Sequence, residues 1–143
     1  MKSCDGHVFC FLAQIIVNKS MAHQILLVDD DKDLVYILRE ALQKNGFEVI
    51  TASDGSEGLR LLKTNIPQLI MADLTMPVMS GWHFTTKVRQ DPRFKKTPII
   101  VLSGLLEDNA EAQPFESASL YVRKPFEIFE LIAKIKELIA AQS

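Results

Sequence analysis

A fivefold alternation of short apolar runs with amphipathic stretches limits the folds open to this chain. The apolar runs cover residues 24–29, 47–51, 68–73, 97–103 and 120–123. Such runs, with few polar interruptions, are typical of strands buried on both faces, and buried strands of this kind occur in parallel sheets. The sequence therefore predicts an α/β fold in which helices cover both faces of a parallel sheet.

The stretches between the runs carry helix signals. The first helix has apolar residues at helical spacing and ends at Asn45-Gly46, and Ser53 or Asp54 is predicted to cap the second. The third is predicted to end at Asp91-Pro92, since the residue before a proline rarely continues a helix. Pro114 makes the length of the fourth helix, within residues 104–119, hard to predict.

The last helix is predicted to open at Pro125. Its apolar face is predicted to consist of Ile128, Ile132, Ile135 and Ile139, with Phe129 and Leu138 beside it. Glu130 and Lys134 are predicted to form an outward i,i+4 pair.

The length of 143 residues suits one domain, which we predict to span residues 21–143. Residues 1–20 are predicted to be an N-terminal extension, and Met21 is an alternative start. The apolar part of this extension is too short to cross a bilayer and lacks a signal-peptide cleavage site, so no membrane insertion is expected. Its Cys4, His7 and Cys10 leave a weak alternative of a zinc site that lacks a fourth ligand.

Charge and cysteine content narrow the setting of the protein. The 16 basic and 18 acidic residues leave a net charge of -2, and no predicted helix has a concentrated basic face, so direct nucleic-acid binding is not expected. Both cysteines lie in the first ten residues, which suits a reducing, cytoplasmic location.

Polar side chains gather where the predicted strands end. They are Asp29 and Asp30 after the first strand, Asp73 after the third, Ser103 after the fourth and Lys124 after the fifth. Because right-handed crossovers bring the carboxyl ends of parallel strands to one edge, these groups are expected to meet there. Three carboxylates in one crevice imply a hard divalent cation, and Mg2+, with Mn2+ as an alternative, matches the oxygen ligands.

This set of groups suits phosphoryl transfer. It contains a carboxylate nucleophile, ligands for a metal, a lysine to contact a phosphoryl oxygen and a hydroxyl to bond to another. The neighbouring Asp31 and Asp33 are predicted instead to cap the first helix and to favour its N-terminal dipole.

Four motifs in order make the chain resemble a response-regulator receiver domain, the phosphoacceptor module of bacterial two-component signalling. They are the acidic pair Asp29-Asp30, D-x-x-M-P-x-M-S-G at 73–81, the hydroxyl residue Ser103, and Y-x-x-K-P-F at 121–126. The resemblance covers residues 23–141. It implies a flavodoxin-like, doubly wound (βα)5 fold with a five-stranded parallel sheet in the order 2-1-3-4-5.

The resemblance also implies a role for each matching position. Asp73 would be the phosphoacceptor, and Asp30 and Asp73 would bind Mg2+ directly, with the backbone carbonyl of Thr75 as a further ligand. Asp29 would act mainly through a metal-bound water, and Lys124 would pair with the carboxylate and then with the phosphoryl group. The Lys124-Pro125 peptide bond would be cis.

The family's switch would involve two further residues. Ser103 would turn toward the phosphoryl group and Tyr121 would move inward behind it. Their shift would change the surface formed by the fourth predicted helix, the fifth strand and the last helix.

Partners and activity follow from the same resemblance. The phosphoryl donor would be a histidine kinase or a histidine phosphotransfer protein, and the output would be a downstream protein target. A stand-alone or truncated receiver of this kind, whether a monomer or a phosphorylation-dependent dimer, would not be an enzyme beyond assisting its own phosphoryl transfer and dephosphorylation.

Two other functions remain open from the residues. The run Asp29-x-Asp31 also resembles the nucleophile motif of haloacid-dehalogenase-like Mg2+ phosphatases, with Asp29 as nucleophile, although Asp33 and the motif at 73–81 speak against that family. The second alternative is a phosphorylation-independent interaction module that keeps the receiver fold. The intact set of acidic residues, Ser103 and Lys124 speaks against it.

Overall fold

The computed structural model describes residues 23–104 and 117–142. Within these residues a parallel sheet has the strand order β2-β1-β3-β4-β5, as predicted. The strands are β1 (Gln24–Val28), β2 (Glu48–Ala52), β3 (Leu69–Asp73), β4 (Ile99–Ser103) and β5 (Leu120–Arg123). The helices are α1 (Lys32–Lys44), α2 (Gly55–Leu61), α3 (Gly81–Gln90) and α4 (Ile128–Ala140), and a short 3-10 helix covers Pro92–Phe94.

Strand residues alternate between two apolar layers, one on each face of the sheet. Ile25 and Leu27 of β1 pack with α1 and α4, whereas Leu26 and Val28 pack with α3 and the end of α2. Every residue of β3 and β4 is buried, which explains why these strands appear as continuous apolar runs in the sequence. The fold is therefore doubly wound, with two helices described on each face.

The strand register brings the carboxyl ends of the strands to one edge. Val28 lies opposite Ala72, Asp73 opposite Leu102, and Ser103 opposite Arg123. The residues that follow β1 and β5, and those that end β3 and β4, therefore lie side by side across the sheet. The strand ends thus meet at one edge of the sheet, as predicted.

Aspartate side chains begin the helices that leave this edge. The carboxylate of Asp31 accepts hydrogen bonds from the backbone N–H groups of Asp33 and Leu34, and Asp33 lies in the first turn of α1. Asp54 caps α2 in the same way, by accepting from the N–H of Glu57. The capping roles predicted for Asp31 and for one of the pair Ser53 and Asp54 are confirmed, and Asp91 ends α3 as predicted.

The start of the last helix differs from the prediction. Pro125 lies outside α4, because Glu127 is the N-cap and its side chain accepts from the N–H of Glu130. Phe129 does not pack beside the apolar face but is 80% exposed. Lys134 lies 3.9 Å from Glu137 in an i,i+3 pair instead of pairing with Glu130. Consecutive helix residues lie about 100° apart around the axis, so Phe129 points away from its neighbour Ile128, and apolar character alone did not define the edge of the face.

Several predictions fall outside the described residues. The extension at residues 1–20, its Cys4-His7-Cys10 motif and most of the fourth predicted helix belong to this group. The domain boundary at residue 21 also remains a prediction. In the part of the chain that the structure covers, no helix has the length and apolar character needed to span a membrane.

A close backbone approach at Gly81 joins α3 to the end of β3. A Cβ atom at this position would lie 2.6 Å from the carbonyl oxygen of Asp73 and 2.8 Å from the Cα of Leu74. The N–H of Gly81 also donates to the carbonyl oxygen of Leu74 at 2.9 Å. Only glycine lets the helix begin directly against the backbone of Asp73.

Gly81→Ala is therefore expected to lower the free energy of unfolding by about 1–3 kcal/mol, because the added methyl group overlaps backbone atoms that cannot rotate away. Gly104→Ala is the matched control, since a Cβ at Gly104 meets nothing within 4 Å. Denaturant unfolding of the two variants measures the difference. Equal stability of both would contradict the close approach at Gly81.

Candidate functional site

Asp29 lies at the centre of the polar edge, directly after β1. It is buried, with 2% of its surface exposed. One carboxylate oxygen, Oδ1, accepts a hydrogen bond of 2.9 Å from the N–H of Asp31, and the other, Oδ2, accepts one of 3.1 Å from Lys124 Nζ. Both oxygens of Asp29 are therefore engaged by protein donors.

Lys124 reaches the Asp29 carboxylate from the end of β5, the strand at the edge of the sheet. It follows β5, where its N–H donates to the carbonyl oxygen of Ser103 at 2.8 Å, and its peptide bond to Pro125 is cis, as predicted. Its Nζ also lies 3.4 Å from Asp73 Oδ1. One ammonium group thus contacts two carboxylates, and the contact with Asp29 is the shorter one.

Asp73 and Asp30 complete the predicted set of acidic residues. Asp73 ends β3 and is 7% exposed, whereas Asp30 is exposed at the mouth of the site. Carboxylate oxygens of Asp29, Asp30 and Asp73 all lie within 4.8 Å of one another. Oxygen ligands from two buried groups and one exposed group fit a hard divalent cation that keeps part of its water shell.

The charges in the site are incompletely balanced. Burial raises the pKa of Asp29, although the N–H of Asp31 and the ammonium of Lys124 oppose the rise. Burial also raises the pKa of Asp73, and the neighbouring charge of Asp29 adds to it against the effect of Lys124. Burial disfavours the charge on Lys124, but its contacts with Asp29 and Asp73 outweigh this and raise its pKa. The site therefore favours an additional cation.

Ser103 and Tyr121 occupy the positions that the sequence predicted for them. Ser103 ends β4 and is fully buried, and it lies one strand away from Asp73. Tyr121 of β5 lies opposite Val101 of β4. Its half-buried side chain packs on the apolar layer formed with α3. Both residues are thus close to the strand ends that carry the acidic groups.

Thr75 contributes to the site through its backbone. A backbone hydrogen bond from Thr75 to Asp73 lowers the pKa of that carboxyl group in opposition to burial. The metal-binding role of the Thr75 carbonyl stays a prediction. Trp82 is 37% exposed, and Met76 is buried in the apolar layer.

The sequence did not indicate how fully Asp29 is enclosed. Its direct pairing with Lys124 depends on a side chain that reaches from the end of β5 past the ends of β4 and β3. No local motif encodes that distance. A second missed residue is Arg89, which donates mainly to main-chain carbonyl groups, and such partners leave no pattern in a sequence.

Comparison with known proteins agrees with this geometry. The family model described as the response regulator receiver domain matches residues 25–136. The chain therefore belongs to the response-regulator receiver family of two-component signalling.

Individual relatives support the same assignment. The transcriptional regulatory protein PrrA of Mycobacterium tuberculosis is 38% identical over 117 residues, which cover 81% of this chain and 49% of PrrA. The chain thus spans about half the length of such curated relatives.

Two solved structures extend the likeness to the fold. The chemotaxis response regulator CheY4 of Vibrio cholerae is 30% identical, with a TM-score of 0.75 over 82% of this chain and 99% of CheY4. The response regulator TrrA of Thermotoga maritima, in complex with Mg2+-BeF, is 32% identical, with a TM-score of 0.73 over 81% of this chain and 98% of TrrA.

Asp73→Asn tests the charge imbalance. Because the pKa of folded Asp73 is raised above 3.8, the folded state binds a proton more readily than the unfolded state. The free energy of unfolding of the wild type should therefore fall as the pH rises from 3.8 through the raised pKa. In metal-free buffer at neutral pH, Asp73→Asn is expected to raise the free energy of unfolding by on the order of 1 kcal/mol, and the gain should vanish below about pH 4.

Asp91→Asn is the control for this measurement. Hydrogen bonds from Arg93 lower the pKa of Asp91, so the charged form stabilises the fold above the ordinary pKa. Asp91→Asn is therefore expected to lower the free energy of unfolding at neutral pH. Denaturant unfolding of both variants across a pH series measures these opposite changes. A lower free energy of unfolding for Asp73→Asn at neutral pH would show that the pKa of Asp73 is not raised.

Proposed function

We propose that the protein is a phosphorylation switch that accepts a phosphoryl group on Asp73 from a histidine kinase or a histidine phosphotransfer protein. The observation that carries the proposal is the position of the Asp73 carboxylate, which ends β3 with Lys124 Nζ 3.4 Å away and with Asp29 and Asp30 beside it. A carboxylate with an adjacent ammonium and adjacent metal ligands suits phosphoryl transfer, where positioning and charge stabilisation carry the reaction.

The acidic set would hold Mg2+, or Mn2+ as an alternative, and the Mg2+-BeF complex of the relative TrrA supports this. The bound ion would neutralise charge that develops on the phosphoryl oxygens. Asp30 and Asp73 would bind it directly with the Thr75 carbonyl. Asp29 would contribute mainly through a metal-bound water, as the family resemblance implies, and would keep its hydrogen bonds from Asp31 N–H and Lys124.

Lys124 would stabilise both states of Asp73. Before transfer, its ammonium offsets the charges of Asp29 and Asp73, with which it is in contact. As a bond forms between phosphorus and an Asp73 oxygen, the bond from phosphorus to the donor's histidine nitrogen would break and the imidazole would leave. The ammonium would remain within reach and hydrogen-bond to a phosphoryl oxygen. The Asp73 carboxylate is the nucleophile, so no separate base needs to remove a proton.

The output would be a change in a protein-binding surface. The Ser103 hydroxyl would donate a hydrogen bond to a phosphoryl oxygen. Tyr121 would then move into the space beside Ser103. Tyr121 packs half-buried on the apolar layer formed with α3, so the proposed movement would start from a ring already in contact with that layer. The resulting difference around β5 and α4 would favour a downstream protein target or a second copy of the chain. We do not propose direct nucleic-acid binding.

The protein would not act as an enzyme on other substrates. Its chemistry would be restricted to its own phosphoryl uptake and hydrolysis. The alternative phosphatase mechanism needs Asp29 as a free nucleophile. That role is disfavoured because the Asp29 side chain is fully buried, whereas the Asp73 side chain keeps 9% of its surface exposed.

Intact-protein mass spectrometry after incubation with acetyl phosphate and Mg2+ tests the proposal. One phosphoryl adduct is expected on the wild type and on Asp91→Asn, a charge-matched control at the surface. Asp73→Asn is expected to show none, since the nucleophile is removed. Asp29→Ala should retain a slower adduct.

The outcome of Asp29→Ala distinguishes the receiver mechanism, with Asp73 as nucleophile, from the phosphatase mechanism, with Asp29 as nucleophile. An adduct that is lost in Asp29→Ala but kept in Asp73→Asn would identify Asp29 as the nucleophile and would overturn the proposal. A wild type that binds no Mg2+ and takes up no phosphoryl group would instead favour the phosphorylation-independent interaction module.

A further inference from the structure

Arg89, in the last turn of α3, joins two segments that are distant in the chain. Its Nη1 donates to the carbonyl oxygens of Phe94 at 2.7 Å and Thr97 at 2.6 Å, on the approach to β4. Its Nε donates to the carbonyl oxygen of Ser117 at 2.9 Å, on the approach to β5. The planar guanidinium has the several fixed donors that such a junction requires.

Thr85, one turn earlier on α3, also contacts Ser117. It is fully buried, and its hydroxyl accepts a hydrogen bond of 3.0 Å from the Ser117 hydroxyl. The Thr85 hydroxyl in turn donates to the carbonyl oxygen of Gly81 at 2.9 Å. The chain at Ser117 is therefore fixed by two side chains of α3, the helix that begins against the backbone of Asp73.

β5 is short and only partly buried. It has four residues, of which three are half-buried and Arg123 is exposed, and it lies at the edge of the sheet. A slip of one residue would move Lys124 by about 3.3 Å and turn Tyr121 to the other face. The 3.1 Å contact between Lys124 and Asp29 would then be lost.

We propose that Arg89 and Thr85 are positioning residues for Lys124: by holding the chain at Ser117, they set the register of β5 on β4 and so place the ammonium between Asp29 and Asp73. The two hydrogen bonds that bracket β5 depend on this register. They run from Ser119 N–H to the Ile99 carbonyl at 2.7 Å and from Lys124 N–H to the Ser103 carbonyl at 2.8 Å.

The functional meaning of this placement rests on the proposed role of Lys124 in phosphoryl transfer, whereas the register itself does not. The experiment therefore has a structural part and a kinetic part. Arg89→Met removes the guanidinium, with Lys87→Met on the exposed face of α3 as the control for lost charge. Thr85→Val removes the hydroxyl at nearly constant volume, whereas Thr85→Ser keeps the hydroxyl.

The structural part measures amide hydrogen exchange by NMR on the full chain. In Arg89→Met and Thr85→Val, the amides of Ser119 and Lys124 should exchange about tenfold faster or more, while those of β1 and β3 keep their rates. The side-chain resonances of Lys124 should shift in the same two variants. Thr85→Ser and Lys87→Met should match the wild type.

Two results would overturn the proposal. One is unchanged exchange at Ser119 and Lys124 in both Arg89→Met and Thr85→Val. The other is faster exchange by the same factor in all strands, which would indicate a general loss of stability. If Arg89→Met does not fold, the Thr85→Val and Thr85→Ser pair decides between these outcomes.

The kinetic part measures phosphoryl uptake from acetyl phosphate at fixed Mg2+ concentration. Uptake by Thr85→Val should be slower by about tenfold, because a misplaced ammonium stabilises the transferring group poorly, and Thr85→Ser should recover the wild-type rate. Phosphoryl uptake by Thr85→Val at the wild-type rate would contradict the positioning role. A wild type that takes up no phosphoryl group would refute the proposed function, and the exchange data would still decide the register.

Discussion

One ammonium group, shared between two buried carboxylates, holds the polar edge of this protein together. Lys124 Nζ lies 3.1 Å from Asp29 and 3.4 Å from Asp73, and these three residues belong to the ends of β5, β1 and β3. Because β4 separates β5 from β3, the contact depends on the register of every strand pair between them. The packing of the sheet and the chemistry of the site are therefore set by the same strand positions.

The same interaction leaves the site short of positive charge. Burial raises the pKa of Asp29 and of Asp73, and a single lysine cannot neutralise both together with Asp30. Such an arrangement weakens the metal-free fold, as functional sites commonly do, while it prepares a place for a cation and for a phosphoryl group. The proposed Mg2+ dependence and the proposed reactivity of Asp73 thus share one electrostatic cause.

The fold and the site differed in how far the sequence could predict them. All five strands lie within two residues of their predicted bounds, since buried parallel strands are continuous apolar runs whose ends a topology rule brings together. Local patterns failed where tertiary contacts decide: Phe129 faces outward although its neighbours suggest an apolar face, and Lys124 lies nearer to Asp29 than to Asp73. The carbonyl partners of Arg89 have no sequence signal at all.

The dependence of stability on Mg2+ concentration tests the central claim most directly, which is that the acidic set at the strand ends lacks one cation. The free energy of unfolding of the wild type should rise with free Mg2+, approaching about 1.4 kcal/mol per tenfold increase above the dissociation constant, as expected for one ion bound only by the folded state. A free energy of unfolding that stays constant from metal-free buffer to millimolar Mg2+ would contradict the account.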